Sequence, residues 1–255
     1  MCSLFKDYPQ FIADISFRIR VKAVLEALKL KDDDFVLDCG CGDAVLDPII
    51  EKKCSGVIGI DLYYFNIRAT NRFKGNVAFI LADIAHLPFR AGTFNKALCM
   101  EVLEHLHDDI EALREIKRVL VRGGILVITV PNLEYPFLWD PINAILTRLL
   151  RTRPIYNGLF GGIWFDHKRL YRSDKLKKVL NLAGFQVVDI FGLNNLFLPF
   201  QPLIWNLYVV LQRKIRKIIH PPRSISKIID YMDRKNRPTK KISSQTTLLA
   251  HAHVA

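Results

Sequence analysis

The sequence contains no Cys-x-x-Cys pair, no internal repeat and no low-complexity tract. Its five cysteines (Cys2, Cys39, Cys41, Cys54 and Cys99) form no paired framework, so they read as free thiols of a reducing compartment. Glycine (13) and proline (12) are at ordinary levels, which excludes a collagen-like chain. The first ten residues, MCSLFKDYPQ, hold no apolar run of the kind a secretory signal needs, and a cytoplasmic location is expected. Acidic residues are the minority: 25 against 37 lysines and arginines, a net charge of +12. That excess predicts an anionic partner, either nucleic acid or a lipid surface. Half of the 255 residues are apolar and 24% are charged, so a sizeable core is available and global disorder is excluded. The length suits one α/β domain with insertions.

The charge is unevenly placed. Residues 190–212 carry none, whereas residues 213–241 hold eleven basic side chains against Asp230 and Asp233. This second stretch therefore supplies +9 of the total.

The first half alternates strand and helix. FVLDCG (35–40), GVIGID (56–61), VAFILAD (77–83), TFNKALCME (93–101) and GILVITVPN (124–132) read as buried parallel strands. A helix is predicted over 108–121, with Ile110, Leu113, Ile116 and Leu120 on one face, acids at its start, bases at its end and Gly123-Gly124 as its stop. A second is predicted over 174–183, capped by Ser173 and ended by Gly184. FQVVDIFG (185–192) and TTLLAHAHV (246–254) complete the strands. Alternation of this kind predicts a parallel sheet with helices on both faces, and ligands beyond the carboxyl ends of its strands.

The first strand ends Asp38-Cys39-Gly40-Cys41-Gly42-Asp43-Ala44. The spacing is GxGxA, not GxGxxG, and Asp38 stands where a pyrophosphate would meet a carboxylate. A ligand with a cationic or zwitterionic head fits better, and S-adenosylmethionine is one. Glycines 40 and 42 allow close backbone approach. Asp61 ends the second strand, about 20 residues on, where a carboxylate accepts bonds from ribose hydroxyls. Asp83 and Ile84 end the third strand, an acceptor and an apolar face for an adenine. Glu101, Glu104, His105 and His107 follow the fourth.

In this order, VLDCGCGDA, IGIDL, ADIAHLPF, TFNKALCMEVLEHLHD and RVLVRGGILVITVPN resemble the motifs of class I S-adenosylmethionine-dependent methyltransferases. The resemblance covers residues 35–132, and 166–188 resemble a later helix–strand unit. It implies a Rossmann-like α/β fold, mostly parallel with an antiparallel last strand. It implies S-adenosyl-L-methionine as cofactor, with Asp38, Gly40 and Gly42 on the methionine part, Asp61 with Leu62 at the ribose, Asp83 and Ile84 at the adenine, and Glu101 beside it. Arg18 or Arg20 would reach the cofactor carboxylate. The family often has a third glycine at Ala44, where Ala costs little if the backbone is helical, and often an Asp at Asn95. The organisation expected is a helical segment (1–34), a cofactor-binding core (35–132), an acceptor lid (133–172) and an apolar-then-basic insertion (193–245).

The base-amine motif [N/D]PP[Y/F] and a Pro-Cys nucleophile are both missing after the fourth strand. The lid is rich in aromatics (Tyr135, Phe137, Trp139, Phe160, Trp164, Phe165), which suits a hydrophobic small-molecule or lipid-linked acceptor, methylated at oxygen or carbon. His86, His105, His107 and His167 compete for the role of base, and His105 is the catalytic candidate. Glu101-x-x-Glu104-His105 also resembles a stretch of ubiquinone-pathway O-methyltransferases associated there with a divalent metal. The stretch is widespread in enzymes that use none, and no metal is expected. The run 190–212 is long enough to span a bilayer, but it lies between two strands of one sheet, which a span would separate. An interfacial element is expected instead: Phe197, Leu198, Phe200, Ile204, Trp205, Leu207, Tyr208 and Leu211 dip in and the basic segment meets anionic headgroups. Two alternatives stay open. One is an RNA- or protein-directed methyltransferase docking through 213–241, with nucleic acid the less favoured partner. The other is a methyltransferase-like binding module without turnover.

Overall fold

In the computed structural model, the residues described are 15–70, 75–158, 160–193 and 245–254, together with Phe200, Leu203, Ile204, Leu207, Tyr231, Lys235 and 238–240. The chain divides into two compact units. The first to consider comprises Val21–Val130, Ser173–Ile190 and Leu249–Ala255 and holds the sheet.

Seven strands form that sheet: β1 (Phe35–Cys39), β2 (Gly56–Asp61), β3 (Val77–Leu81), β4 (Phe94–Met100), β5 (Leu120–Pro131), β6 (Phe185–Leu193) and β7 (Thr247–Val254). Their order is β3-β2-β1-β4-β5-β7-β6. The sheet is mostly parallel, with antiparallel pairing at its last strands. β1 pairs with β2 (Asp38 opposite Gly59) and with β4 (Asp38 opposite Leu98), so the winding direction reverses between β1 and β4. A crevice at such a reversal is where ligands bind in open α/β sheets. The β1–β4–β5 centre is apolar and closed: Val36, Leu37, Ala97, Leu98, Leu126, Val127 and Ile128 are fully buried. Each larger aliphatic among them contributes about 1.5–3 kcal/mol.

The helices are α1 (Ile15–Leu28), α2 (Asp47–Ile50), α3 (Tyr64–Ala69), α4 (Asp109–Val119), α5 (Pro141–Ala144) and α6 (Ser173–Leu182). Asp108 caps α4 by accepting from the amides of Ile110 and Glu111, at 3.0 and 2.9 Å. The buried face of α4 is Ala112, Leu113, Ile116 and Val119, with Ile110 only half-buried. Its end also differs from the sequence reading. Gly123 and Gly124 do not stop the helix, because Leu120 is already extended and begins β5 opposite Phe94. Gly184 does end α6, at φ +89°, with Lys117 of α4 packed where a Cβ would stand.

The second unit comprises Met1–Arg20, Pro131–Arg172 and Phe191–Leu248, and contains the predicted lid. Tyr135, Trp139, Ala144, Ile163 and Leu170 form its core. Asp140 knots it: its carboxylate accepts from the side-chain amide of Asn143 and the backbone amide of Ile163, both at 2.9 Å. Gly162 lies at φ +55° with its Cα facing that carboxylate, so a Cβ there would collide with it. Phe137, Leu138, Leu149, Leu150, Phe160 and Phe165 remain exposed. Among the described residues no helix is long and apolar enough to cross a membrane. Most of 194–244, including Trp205 and nearly all of the basic segment, lies outside the described residues.

Candidate cofactor and active site

The carboxyl ends of β1, β2, β3 and β4 converge through specific bonds. The amides of Gly40 and Cys41 both donate to the Ile60 carbonyl, at 2.8 and 2.9 Å, so the glycine turn is laid across the end of β2. Gly40 has φ +80°, and its Cα faces the side chain of Val102, which follows β4. A Cβ at position 40 would overlap Val102, so two separate constraints demand glycine there. Gly42 is different. It has φ +55°, and a Cβ would meet nothing within 4 Å, so this part of the turn faces open space. Ala44 also lies in the left-handed region, at φ +57°. The condition under which alanine would cost little, a helical backbone, is therefore not met: a glycine would suit the position, and alanine costs about 1–2 kcal/mol there. Asn95 replaces an aspartate without loss of the bond, because its Oδ1 accepts from the Phe35 amide at 2.9 Å.

Asp61 is 8% exposed and heavily engaged. One oxygen accepts from the Gly42 amide at 3.0 Å, and the other from the Tyr63 amide at 2.8 Å and the Asn66 side chain at 3.0 Å. Asp61 thus fixes the glycine turn and the start of α3 together. Three of its roughly four lone-pair positions are taken. The Ala82 amide donates to the Asp61 carbonyl, at 3.1 Å, which ties the exit of β3 to that of β2. Beyond it, Asp83 is exposed and accepts from the Ala85 amide, while Ile84 is buried. Leu62, Tyr63, Tyr64 and Phe65 are all exposed.

At the end of β4, the Glu101 amide donates to the Thr129 carbonyl, and Glu101 has φ +55°. A non-glycine residue there stores backbone strain of order 1–3 kcal/mol. Leu103–His105 form a 3₁₀ turn, with Glu104 buried and His105 half-buried. Of the other imidazoles, His86 and His107 are exposed. His167 belongs to the second unit, where its Nδ1–H donates to the Ile163 carbonyl. On α1, Arg18 is 1% exposed, so a solvated face is not its environment, and Arg20 is half-buried.

The residues beside the turn are acidic or neutral. Burial, then Asp47, then Asp61 push the Asp38 carboxyl well above its usual range. Burial pushes the Asp47 carboxyl up to about 7, and Asp43 adds to it. Cys39 and Cys99 are fully buried, and burial raises both thiols, so they are inert core groups. Asp47 escaped the sequence reading. In LDPII it looks like a turn residue, and its complete burial beside Asp38 shows only in the folded chain.

Sheet order, reversal point and glycine turn together define the fold of a class I methyltransferase. Residues 37–128 match the family profile described as a methyltransferase domain. A protein of Methanocaldococcus jannaschii is 29% identical over 243 residues, covering 93% of this chain and 88% of its own. A ubiquinone biosynthesis O-methyltransferase of Psychrobacter arcticus is 28% identical over 168 residues, 62% of each chain. Among solved structures, an S-adenosylmethionine-dependent methyltransferase of Thermotoga maritima, a possible histamine N-methyltransferase, superposes over the whole of both chains with a TM-score of 0.63 at 13% identity. Residues 37–128 carry the methyltransferase domain, and the family match and the relatives together support a class I S-adenosylmethionine-dependent methyltransferase. It is an enzyme of that class, and S-adenosylmethionine is its cofactor.

Proposed function

We propose that the protein transfers a methyl group from S-adenosylmethionine to a hydrophobic small-molecule or lipid-linked acceptor, at oxygen or carbon. The observation that carries the acceptor class is the second unit, which exposes Phe137, Leu138, Leu149, Leu150, Phe160 and Phe165 around an aromatic core. Six large apolar side chains exposed within residues 137–165 suit contact with an apolar ligand or partner. Similarity to a ubiquinone biosynthesis O-methyltransferase favours the same class.

The residues present fit the cofactor. The turn at Gly42 is open, and the buried carboxyl groups beneath it lack a positive partner among the groups that act on them. When bound, S-adenosylmethionine supplies an electrophilic methyl carbon on a sulfonium. Asp38 and the Gly40–Gly42 backbone take the methionine part, with Glu101 beside it. Asp61, with Leu62 next to it, takes the ribose through its remaining lone pair, and Asp83 and Ile84 take the adenine. Exclusion of water and alignment are the main tasks for this displacement. His105 accepts the acceptor's proton where the acceptor must lose one.

An anionic membrane surface is the proposed partner, with peripheral association. The exposed Phe200, Ile204 and Leu207 directly precede the +9 segment, which favours it. The deciding experiment incubates the protein with methyl-labelled S-adenosylmethionine and separated lipid, RNA and protein fractions. Label in the lipid fraction, and co-sedimentation with anionic vesicles that weakens on neutralising Arg213, Lys214, Arg216 and Lys217, are the expected results. Label in RNA or protein, with no vesicle binding at low salt, would overturn this reading in favour of an RNA- or protein-directed enzyme.

A further inference from the structure

Asp47 is 0% exposed, and among the described residues its carboxyl group meets no hydrogen-bonding side chain except the carboxyl group of Asp38. It opens α2, just after the glycine turn, and stands beside Asp38 of β1, which is 4% exposed. Two carboxyl groups at hydrogen-bonding distance in a buried place cannot both ionise cheaply, and a shared proton resolves the conflict. The surroundings sharpen it. Asp61 acts on Asp38 from β2, Asp43 acts on Asp47 from the turn, and the thiols of Cys39, Cys41 and Cys99 lie within reach of Asp38 from β1, the turn and β4. Glu101 and Glu104 act on Cys99 from beyond β4. No cation is among these groups. Lys52 and Lys53, on the turn after α2, are exposed and do not figure among those acting on Asp47.

We infer that Asp47 is a positioning residue for the cofactor: it shares a proton with Asp38 in the free protein, and the ammonium of the bound ligand's zwitterionic amino-acid head displaces that proton to solvent. This rests on the cofactor placement proposed above and adds a residue and a proton to it. The step is balanced: one O–H bond in the carboxyl pair breaks, the proton passes to buffer, and the ligand's ammonium replaces its charge. Asp47 acts through Asp38. Its effect is to keep the pair uncharged until an ammonium arrives, which selects against adenosine derivatives that lack the amino-acid head.

The test is calorimetry of S-adenosylhomocysteine binding in buffers of different ionisation enthalpy between pH 5.5 and 8. The parent protein is expected to release about one proton, with affinity rising up to about tenfold per pH unit below the pair's titration and levelling above it. Methylthioadenosine, which lacks the amino-acid part, should bind with no proton release. Asp47→Asn keeps the volume and donates to Asp38, so it should bind S-adenosylhomocysteine with proton release abolished and the pH dependence flattened. Asp47→Leu gives the same readout if the amide variant folds poorly. Proton release unchanged in Asp47→Asn, or equal release with methylthioadenosine, would overturn the inference while leaving the cofactor site intact. Failure of the parent protein to bind S-adenosylhomocysteine at all would instead overturn the placement on which it rests.

Discussion

Gly40 and Gly42 share a turn and a left-handed backbone, yet the structure assigns them different costs on substitution. For Gly40→Ala two penalties add. The conformation at φ +80° costs about 1–2 kcal/mol for a residue with a Cβ. Overlap with Val102 adds about 1–3 kcal/mol, as overpacking does elsewhere. The lower entropy of the unfolded chain offsets about 0.4–1 kcal/mol. The net loss is then about 1–4.6 kcal/mol. For Gly42→Ala only the conformational cost applies, since no atom lies within 4 Å of the new methyl, and the net loss is at most about 1.5 kcal/mol. Urea unfolding of both variants measures the contrast. A double-mutant cycle isolates the overlap: Val102→Ala should return about 1–3 kcal/mol in the Gly40→Ala background and none in the Gly42→Ala background. Gly42→Ala should nevertheless weaken S-adenosylhomocysteine binding, because its methyl enters the open side of the turn. Equal stability losses in the two variants, or no coupling between positions 40 and 102, would refute the account of the turn.

Asp61→Asn should weaken S-adenosylhomocysteine binding by about 1–3 kcal/mol, measured by calorimetry, since a charged acceptor becomes a neutral one. His105→Ala should lower turnover by roughly 10²–10⁴ with cofactor affinity nearly intact; a parallel fall in both would make His105 structural. Stability without cofactor should decline as pH rises from about 4 to about 7, followed by thermal unfolding. The folded pair Asp38–Asp47 holds a proton over that range which the unfolded carboxyl groups have already lost, and Asp47→Asn should flatten the decline. Asn95→Ala should cost about 1–3 kcal/mol by leaving the Phe35 amide without its acceptor, whereas Asn95→Asp should retain most of the stability.

Strands were the most legible part of the sequence. β1, β2, β6 and β7 lie within one or two residues of the runs read from it, because buried parallel strands are short apolar blocks between polar turns. The end of α4 was misread for a physical reason. Gly123-Gly124 looks like a helix stop, but Leu120 leaves the helix earlier to pair with Phe94, and tertiary pairing overrides local signals. Asp38, Gly40, Gly42 and Asp61 were legible as residues at strand ends. Their partners were not. Nothing local indicates that Val102 sits against Gly40, that Asn66 holds Asp61, or that Asp47 folds beneath the turn. Gly40 and Val102 lie in segments distant in sequence that the sheet order brings together, whereas Asn66 with Asp61 and Asp47 with Asp38 are near in sequence and depend on the path the backbone takes after β2 and β1.

The placement of β7 between β5 and β6 has a kinetic consequence. When β6 has been synthesised, both it and β5 present an unpaired edge, and the strand that fills the gap is separated from β6 by residues 194–246. The sheet therefore closes by a long-range insertion, a topology of high contact order that folds slowly. Until Thr247–Val254 emerge from the ribosome, two adjacent apolar edges are open to pairing with other chains. Chains terminated before Thr247 should accumulate in aggregates despite carrying the whole glycine turn. The end of the sheet farthest from β3 is thus the last part of the nascent enzyme to close.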